Sequence, residues 1–95
     1  MKVNWSNRAL KSLASIHRYI EEDSPSAATQ TIDRILKRGD SLASFPQLGR
    51  IVEHYNRPNI RELIEHPYRI IYRIYKDEIQ IVDVFHSAQL PPWGR

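Results

Sequence analysis

The run Tyr68-Arg69-Ile70-Ile71-Tyr72-Arg73 sets two arginines four residues apart among β-forming residues. On a strand both guanidinium groups then project from the same face. If Lys76-Asp77 is a two-residue turn, Tyr72 sits opposite Ile81 and Arg73 opposite Gln80. One face of that hairpin carries Ile70, Tyr72, Ile74, Ile79, Ile81 and Phe85, interrupted by Asp83. The other carries Arg69, Ile71, Arg73, Tyr75, Gln80, Val82, Val84 and His86. The second set combines planar bidentate cations, an aromatic platform and a titratable imidazole, a composition able to hold a phosphate or a partner's carboxylates.

The same side chains have an ordinary structural reading. Arginines on the solvent face of a strand are commonplace, and Tyr68, Tyr72 and Tyr75 suit strand packing. His17 falls on the apolar side of the first helical pattern and reads as packed. His54 and His66 lie in loops without the spacing of a metal site, so no metal and no cofactor is expected. His86 is the one histidine at a strand end beside candidate arginines. The sequence contains no glycine-rich phosphate loop and no readable Ser/His/Asp constellation.

The elements that position these residues follow from periodicity. Met1 to Trp5 alternates, with Val3 and Trp5 on one side, and reads as a short strand. Ser6 reads as an N-cap, and Leu10, Leu13, Ile16 and Ile20 recur at helical spacing to about Glu22. Asp23-Ser24-Pro25 breaks the chain and restarts it, with proline at the first helical position. Ala28, Ile32, Ile35, Leu36, Leu42 and Phe45 mark a second helix; Gly39 inside it costs about 1 kcal/mol relative to alanine and predicts a bend. Phe45-Pro46-Gln47-Leu48-Gly49-Arg50 closes that helix, and Ile51 to Asn59 is polar and reads as a loop. Ile60 to Glu65, Tyr68 to Tyr75 and Glu78 to Phe85 form a three-stranded meander, and Pro91-Pro92 ends the sheet. The order β-α-α-β-β-β predicts an α+β fold: a small antiparallel sheet with a helical hairpin on one face.

Composition limits the function classes. Ninety-five residues and 11.2 kDa make one domain, expected to span 1–95. With 41% apolar and 26% charged residues the chain is globular rather than disordered. The absence of cysteine excludes a disulfide scaffold, a thiolate zinc site and a cysteine nucleophile. No apolar run is long enough to span a membrane, and Met1 to Trp5 lacks the apolar core of a signal segment, so a cytoplasmic protein is expected. The net charge of +3 is modest, but ten of the 14 cations are arginine, the residue that pairs with carboxylate and phosphate.

Five segments together resemble the RelE/ParE toxin superfamily. They are Ser24-Pro25-Ser26-Ala27-Ala28, the corner Phe45-Pro46-Gln47-Leu48-Gly49-Arg50, the strand start Arg61-Glu62-Leu63, the run Pro67-Tyr68-Arg69-Ile70-Ile71-Tyr72-Arg73, and Val84-Phe85-His86 before a proline-containing tail. They stand in the family's order and spacing between Trp5 and Pro92. The resemblance implies the growth-inhibiting toxin half of a type II toxin–antitoxin pair, bound by a cognate antitoxin. It implies one of two activities: RelE-like members cleave mRNA in the ribosome, and ParE-like members inhibit DNA gyrase. Arg69 matches the RelE-like arginine of the Tyr-Arg strand. The second RelE-like cation belongs where this chain has Ser87-Ala88-Gln89, and the lysine pair ahead of the sheet is replaced by Glu53-His54-Tyr55-Asn56-Arg57. The corner and the Tyr-Arg-Ile-Ile-Tyr-Arg strand are closer to ParE, which makes gyrase the leading target and ribosome-bound mRNA the alternative. Arg50, Arg61, Arg69, Arg73, Tyr75 and His86 are the residues expected to meet antitoxin or target. Arg69 and His86 would be catalytic in the RelE-like case.

Overall fold

Ser6 and Ser24 start the two helices as their positions predict. The Ser6 Oγ accepts from the Ala9 N–H at 3.0 Å and donates to the Val82 carbonyl at 2.9 Å, so one cap also fastens helix to sheet. Ser24 accepts from the Ala27 N–H at 3.2 Å, with Pro25 at the first helical position. In the computed structural model, which describes residues 1–94, the chain runs β1 (Lys2–Trp5), α1 (Asn7–Glu21), α2 (Pro25–Asp40), a 3₁₀ turn (Ser41–Ala43), β2 (Arg50–Ile51), β3 (Ile60–Glu65), β4 (Tyr68–Ile74), β5 (Glu78–His86) and a closing 3₁₀ turn (Pro92–Gly94).

The five strands form one sheet in the order β1-β5-β4-β3-β2. The α+β architecture with a helical hairpin on one face is the expected one, but the sheet is mixed rather than antiparallel, because β1 lies parallel to β5. Alternation in Met1 to Trp5 sets which face Val3 and Trp5 take; it carries no signal for strand direction. A short strand, β2, spans the last residue of the corner and the first of the segment read as a loop, and its two residues pair with Glu62 and Arg61 of β3.

The helices bury Ala9 and Leu13 of α1 and Ile35 of α2 in one cluster with Leu63, Ile70, Tyr72, Ile79, Ile81 and Val84, and Ala28, Thr31 and Gly39 of α2 are buried as well. Each large apolar side chain so enclosed contributes about 1.5–3 kcal/mol of transfer free energy. Leu10, expected in that stripe, lies at its rim, and the small Ala9 takes the core position. Gly39 is explained by a close approach: a Cβ there would lie 2.5 Å from Cζ2 of Trp5, whose indole N–H reaches Asp40 Oδ1 at 3.1 Å.

The register of β4 on β5 decides what faces away from the helices. Tyr72↔Ile81, Arg73↔Gln80 and Ile74↔Ile79 pair as the two-residue turn predicts. Between Tyr72 and Ile71 the pairing slips by one residue, a β-bulge after which Ile71 faces Asp83, Ile70 faces Val84, Arg69 faces Phe85 and Tyr68 faces His86. Val84 and His86 therefore turn to the helix side, and Phe85 to the opposite face, which reverses the sequence-based assignment for these three. Asp83 at the bulge is fully buried. It accepts from Ser12 Oγ at 2.6 Å and from the Val84 N–H at 2.8 Å, with Arg8 Nε at 3.2 Å.

Candidate functional site

The face away from the helices is divided in two by a small second core. Val52, Ile71 and Phe85 are buried there, with Ile60, Val82 and Trp93 packed against them. Trp93 arrives from the closing turn, stacks on His54 at 5.6 Å and meets Phe85 edge-on at 6.3 Å. The loop after β2 and the chain's last turn thus cover a region that alternation alone leaves open.

Beside this core lies a cleft of about 590 Å³ lined by Arg50, Ile51, Val52, Glu53, His54, Glu62, Arg69 and Trp93. At its base Glu62 is only 3% exposed. Its Oε1 accepts from Arg50 Nε at 2.6 Å. Its Oε2 accepts from Arg69 Nε at 2.9 Å and also from Arg69 Nη2. The Arg69 guanidinium lies over the Phe85 ring at 4.9 Å and near Trp93 at 5.7 Å, so aromatic faces and a carboxylate fix it together. Arg50, with a side chain 71% exposed, carries the positive end of the triad to solvent. Two arginines against Glu53 and Glu62 leave the cleft close to electrical balance.

On the far side of the second core, Arg73 stands between Ile60 and Gln80, with its guanidinium 5.0 Å from the Tyr75 ring. Arg61 lies on the helix side opposite Tyr72. Its Nε donates to the Pro58 carbonyl and its Nη1 to the Gly49 carbonyl, both at 2.9 Å. Tyr72 completes that corner: its hydroxyl donates to the Pro46 carbonyl at 2.8 Å and accepts from the Gly49 N–H at 2.9 Å. Burial raises the Tyr72 hydroxyl above its ordinary value of 10.0, opposed by the Gly49 hydrogen bond and the Arg61 charge. His86 meets Tyr68 edge-on at 5.5 Å, and its Nδ1 accepts from the Ala88 N–H at 2.9 Å.

The chain matches the ParE toxin of the type II toxin–antitoxin system parDE over residues 3–91. It is 39% identical over 93 residues to Y4kP of Sinorhizobium fredii, which carries a provisional name as a toxin, covering 96% of this chain and 93% of that one. Toxin RelE3 of Caulobacter vibrioides is 36% identical over 91 residues, covering 92% and 95%. This chain belongs to the ParE toxin family. Its fold also matches the solved chromosomal ParDE toxin–antitoxin system of P. aeruginosa with a TM-score of 0.75 at 25% identity, over 90% of this chain and 95% of that one. It is a type II toxin of the RelE/ParE superfamily.

Of the six residues singled out in the toxin's sequence, Arg50 and Arg69 share the cleft, and Arg73 and Tyr75 form a separate pair. Arg61 braces the corner, and His86 is on the opposite face of the sheet from Arg69. Glu62, Trp93 and Gly49 organise these positions and were not singled out as site residues. Glu62 has one legible signal, a carboxylate at the strand parity of the arginine face, two positions from apolar Ile60 and Ile64. Trp93 has none, because a tail residue's contact with a distant strand leaves no local pattern.

Proposed function

We propose that this toxin acts in the cytoplasm as a ParE-like inhibitor of DNA gyrase, held silent by a cognate antitoxin. The observation that carries this reading is the pairing of Arg69 with the buried Glu62. Phosphodiester cleavage by a 2′-hydroxyl needs preorganised cations for the phosphorane and a group to move its proton, and each lost donor costs about 10²–10³ in rate. Here the matching arginine is already engaged by a carboxylate. The His86 imidazole is across the sheet, the His54 imidazole that does line the cleft is stacked on Trp93, and the exposed Ser87-Ala88-Gln89 tail carries no charge. A surface that binds protein requires none of those groups.

The antitoxin reading rests on the family and on surface composition. Tyr19, Phe45, Leu48, Ile51 and Leu90 are exposed, with Phe45 at 63%, beside an arginine-rich rim that suits an acidic amphipathic segment. Co-purification with the protein of the adjacent reading frame through a salt wash tests it; a toxin recovered alone and harmless to its host would count against it.

The target is tested by running a gyrase supercoiling assay beside toeprinting on stalled ribosomes. Loss of supercoiling with intact mRNA is the expected result. Codon-specific cuts that vanish in Arg69→Ala, with normal supercoiling, would replace the gyrase reading with the nuclease.

A further inference from the structure

Four arginines occupy the sheet, and three have their charge engaged within the fold. Arg50 and Arg69 share Glu62, and Arg61 donates to backbone carbonyls. Arg73 differs. Its Nε is enclosed by protein yet has no hydrogen-bond partner, and no carboxylate pairs with its guanidinium, among the described residues. A half-buried guanidinium that has lost water on one edge without gaining an acceptor is costly to hold. The guanidinium carbon lies over the Tyr75 ring at 5.0 Å, a contact that holds the group in place on this face.

Its surroundings select the ligand. The cross-sheet row through Arg73 reads Ile60, Arg73, Gln80 and Asn4, so the amide of Gln80 stands next to the guanidinium and Asn4 beyond it. The Asn4 amide already donates to Glu78 Oε2. One cation flanked by an apolar residue and an amide fits a single planar anion. A nucleic-acid backbone, with one charge per nucleotide, demands a track of cations. Asp77 and Glu78 at the adjoining turn repel any anion, and a polyanion most because it brings several charges past them, while the Glu78 carboxylate is engaged by Asn4.

We propose that Arg73, with Tyr75 and Gln80, is a carboxylate-binding subsite distinct from the Arg50–Glu62–Arg69 cleft, filled by an acidic side chain of the toxin's protein target. On the reading above that target is gyrase, and to that extent the assignment rests on it. The guanidinium fork takes the carboxylate bidentately, the exposed Tyr75 ring walls one side, and the Gln80 amide donates to the same oxygens.

Two measurements test this. In the first, the Arg73 Nε–H resonance of the ¹⁵N-labelled toxin is followed during titration with sodium acetate and, separately, with a short oligothymidylate at matched ionic strength. Acetate is expected to shift it saturably and the oligonucleotide to leave it in place. Movement with the oligonucleotide would make the site a nucleic-acid contact, and movement with neither would remove the subsite. In the second, Arg73→Met, which keeps an unbranched side chain beside Tyr75 and removes the charge, is compared with wild type in the supercoiling assay after matched thermal melts. The half-inhibitory concentration is expected to rise at least about tenfold, as for truncation of a desolvated charge pair, with Arg73→Lys between the two. Equal inhibition by wild type and Arg73→Met overturns the inference and leaves the gyrase reading standing. A wild-type toxin that never inhibits gyrase but whose Arg73 takes acetate overturns the gyrase reading and leaves the subsite standing.

Discussion

Glu62 and Arg69 form a buried ion pair in which one carboxylate oxygen, Oε2, accepts two hydrogen bonds from a guanidinium lying over an aromatic ring. The other oxygen accepts from Arg50, so a single acid organises both cations of the cleft. Removing one member of such a group leaves a desolvated charge without its partner, typically at a cost of about 3–5 kcal/mol. Solvent at Arg50 reduces that figure, and Glu62→Gln is expected to cost about 2–3 kcal/mol in urea unfolding. A midpoint unchanged from wild type would mean that the pair adds nothing to stability.

The two buried glycines give an ordered prediction. A Cβ on Gly49 would lie 2.5 Å from the Glu62 carbonyl oxygen and 2.8 Å from the Tyr72 hydroxyl, and backbone cannot yield. Gly49→Ala should cost at least about 1–3 kcal/mol, the range of an overpacked core. A Cβ on Gly39 meets the edge of the Trp5 indole, a side chain that can shift, and alanine regains about 1 kcal/mol of helix propensity. Thermal melts of the two variants should therefore put Gly39→Ala well above Gly49→Ala.

What the sequence discloses of this molecule stops at particular residues. Serine caps, helical periodicity and the Lys76-Asp77 turn are local signals, and they locate both helices, the meander and the pairs from Tyr72 to Ile74. The bulge is not a local signal. Asp83 reads as an interruption in an apolar face, and only its contacts with Arg8 and Ser12 explain why β5 gains a residue there. That one residue carries His86 away from Arg69 and brings Phe85 under it. The direction of β1 and the return of Trp93 are settled by tertiary packing, which no window of neighbouring residues encodes.

Tyr72 links stability to alkaline pH. Its hydroxyl titrates higher in the folded state than in the unfolded chain because burial disfavours the phenolate. The stabilisation is complete below the unfolded value of about 10 and is lost as pH rises through the folded value. Tyr72→Phe removes the partner of the Gly49 N–H and the Pro46 carbonyl and should cost about 1–2 kcal/mol at neutral pH. Above pH 10 the gap between wild type and variant should narrow. Chemical denaturation at pH 7 and at stepped alkaline pH measures it, and a constant gap would rule the linkage out.

Arg69→Ala is expected to weaken growth arrest far more than Arg34→Ala. Arg34 has a side chain 54% exposed and lies 3.8 Å from the half-buried Glu65, a long, partly exposed pair worth about 0–1 kcal/mol. Arg69 is held in the cleft by Glu62 and Phe85, and its loss uncovers that carboxylate as well as removing a contact. Lower stability could by itself lower the amount of toxin, so the comparison needs a third variant. Tyr72→Phe serves, because it weakens the fold at the Pro46–Gly49 corner from the helix side of the sheet and removes no side chain that lines the cleft. With expression matched by immunoblot, Arg69→Ala should lose toxicity while Arg34→Ala and Tyr72→Phe keep it. Equal losses in Arg69→Ala and Tyr72→Phe would reduce the role of Arg69 to stability, and equal toxicity of all three would take the cleft out of the mechanism.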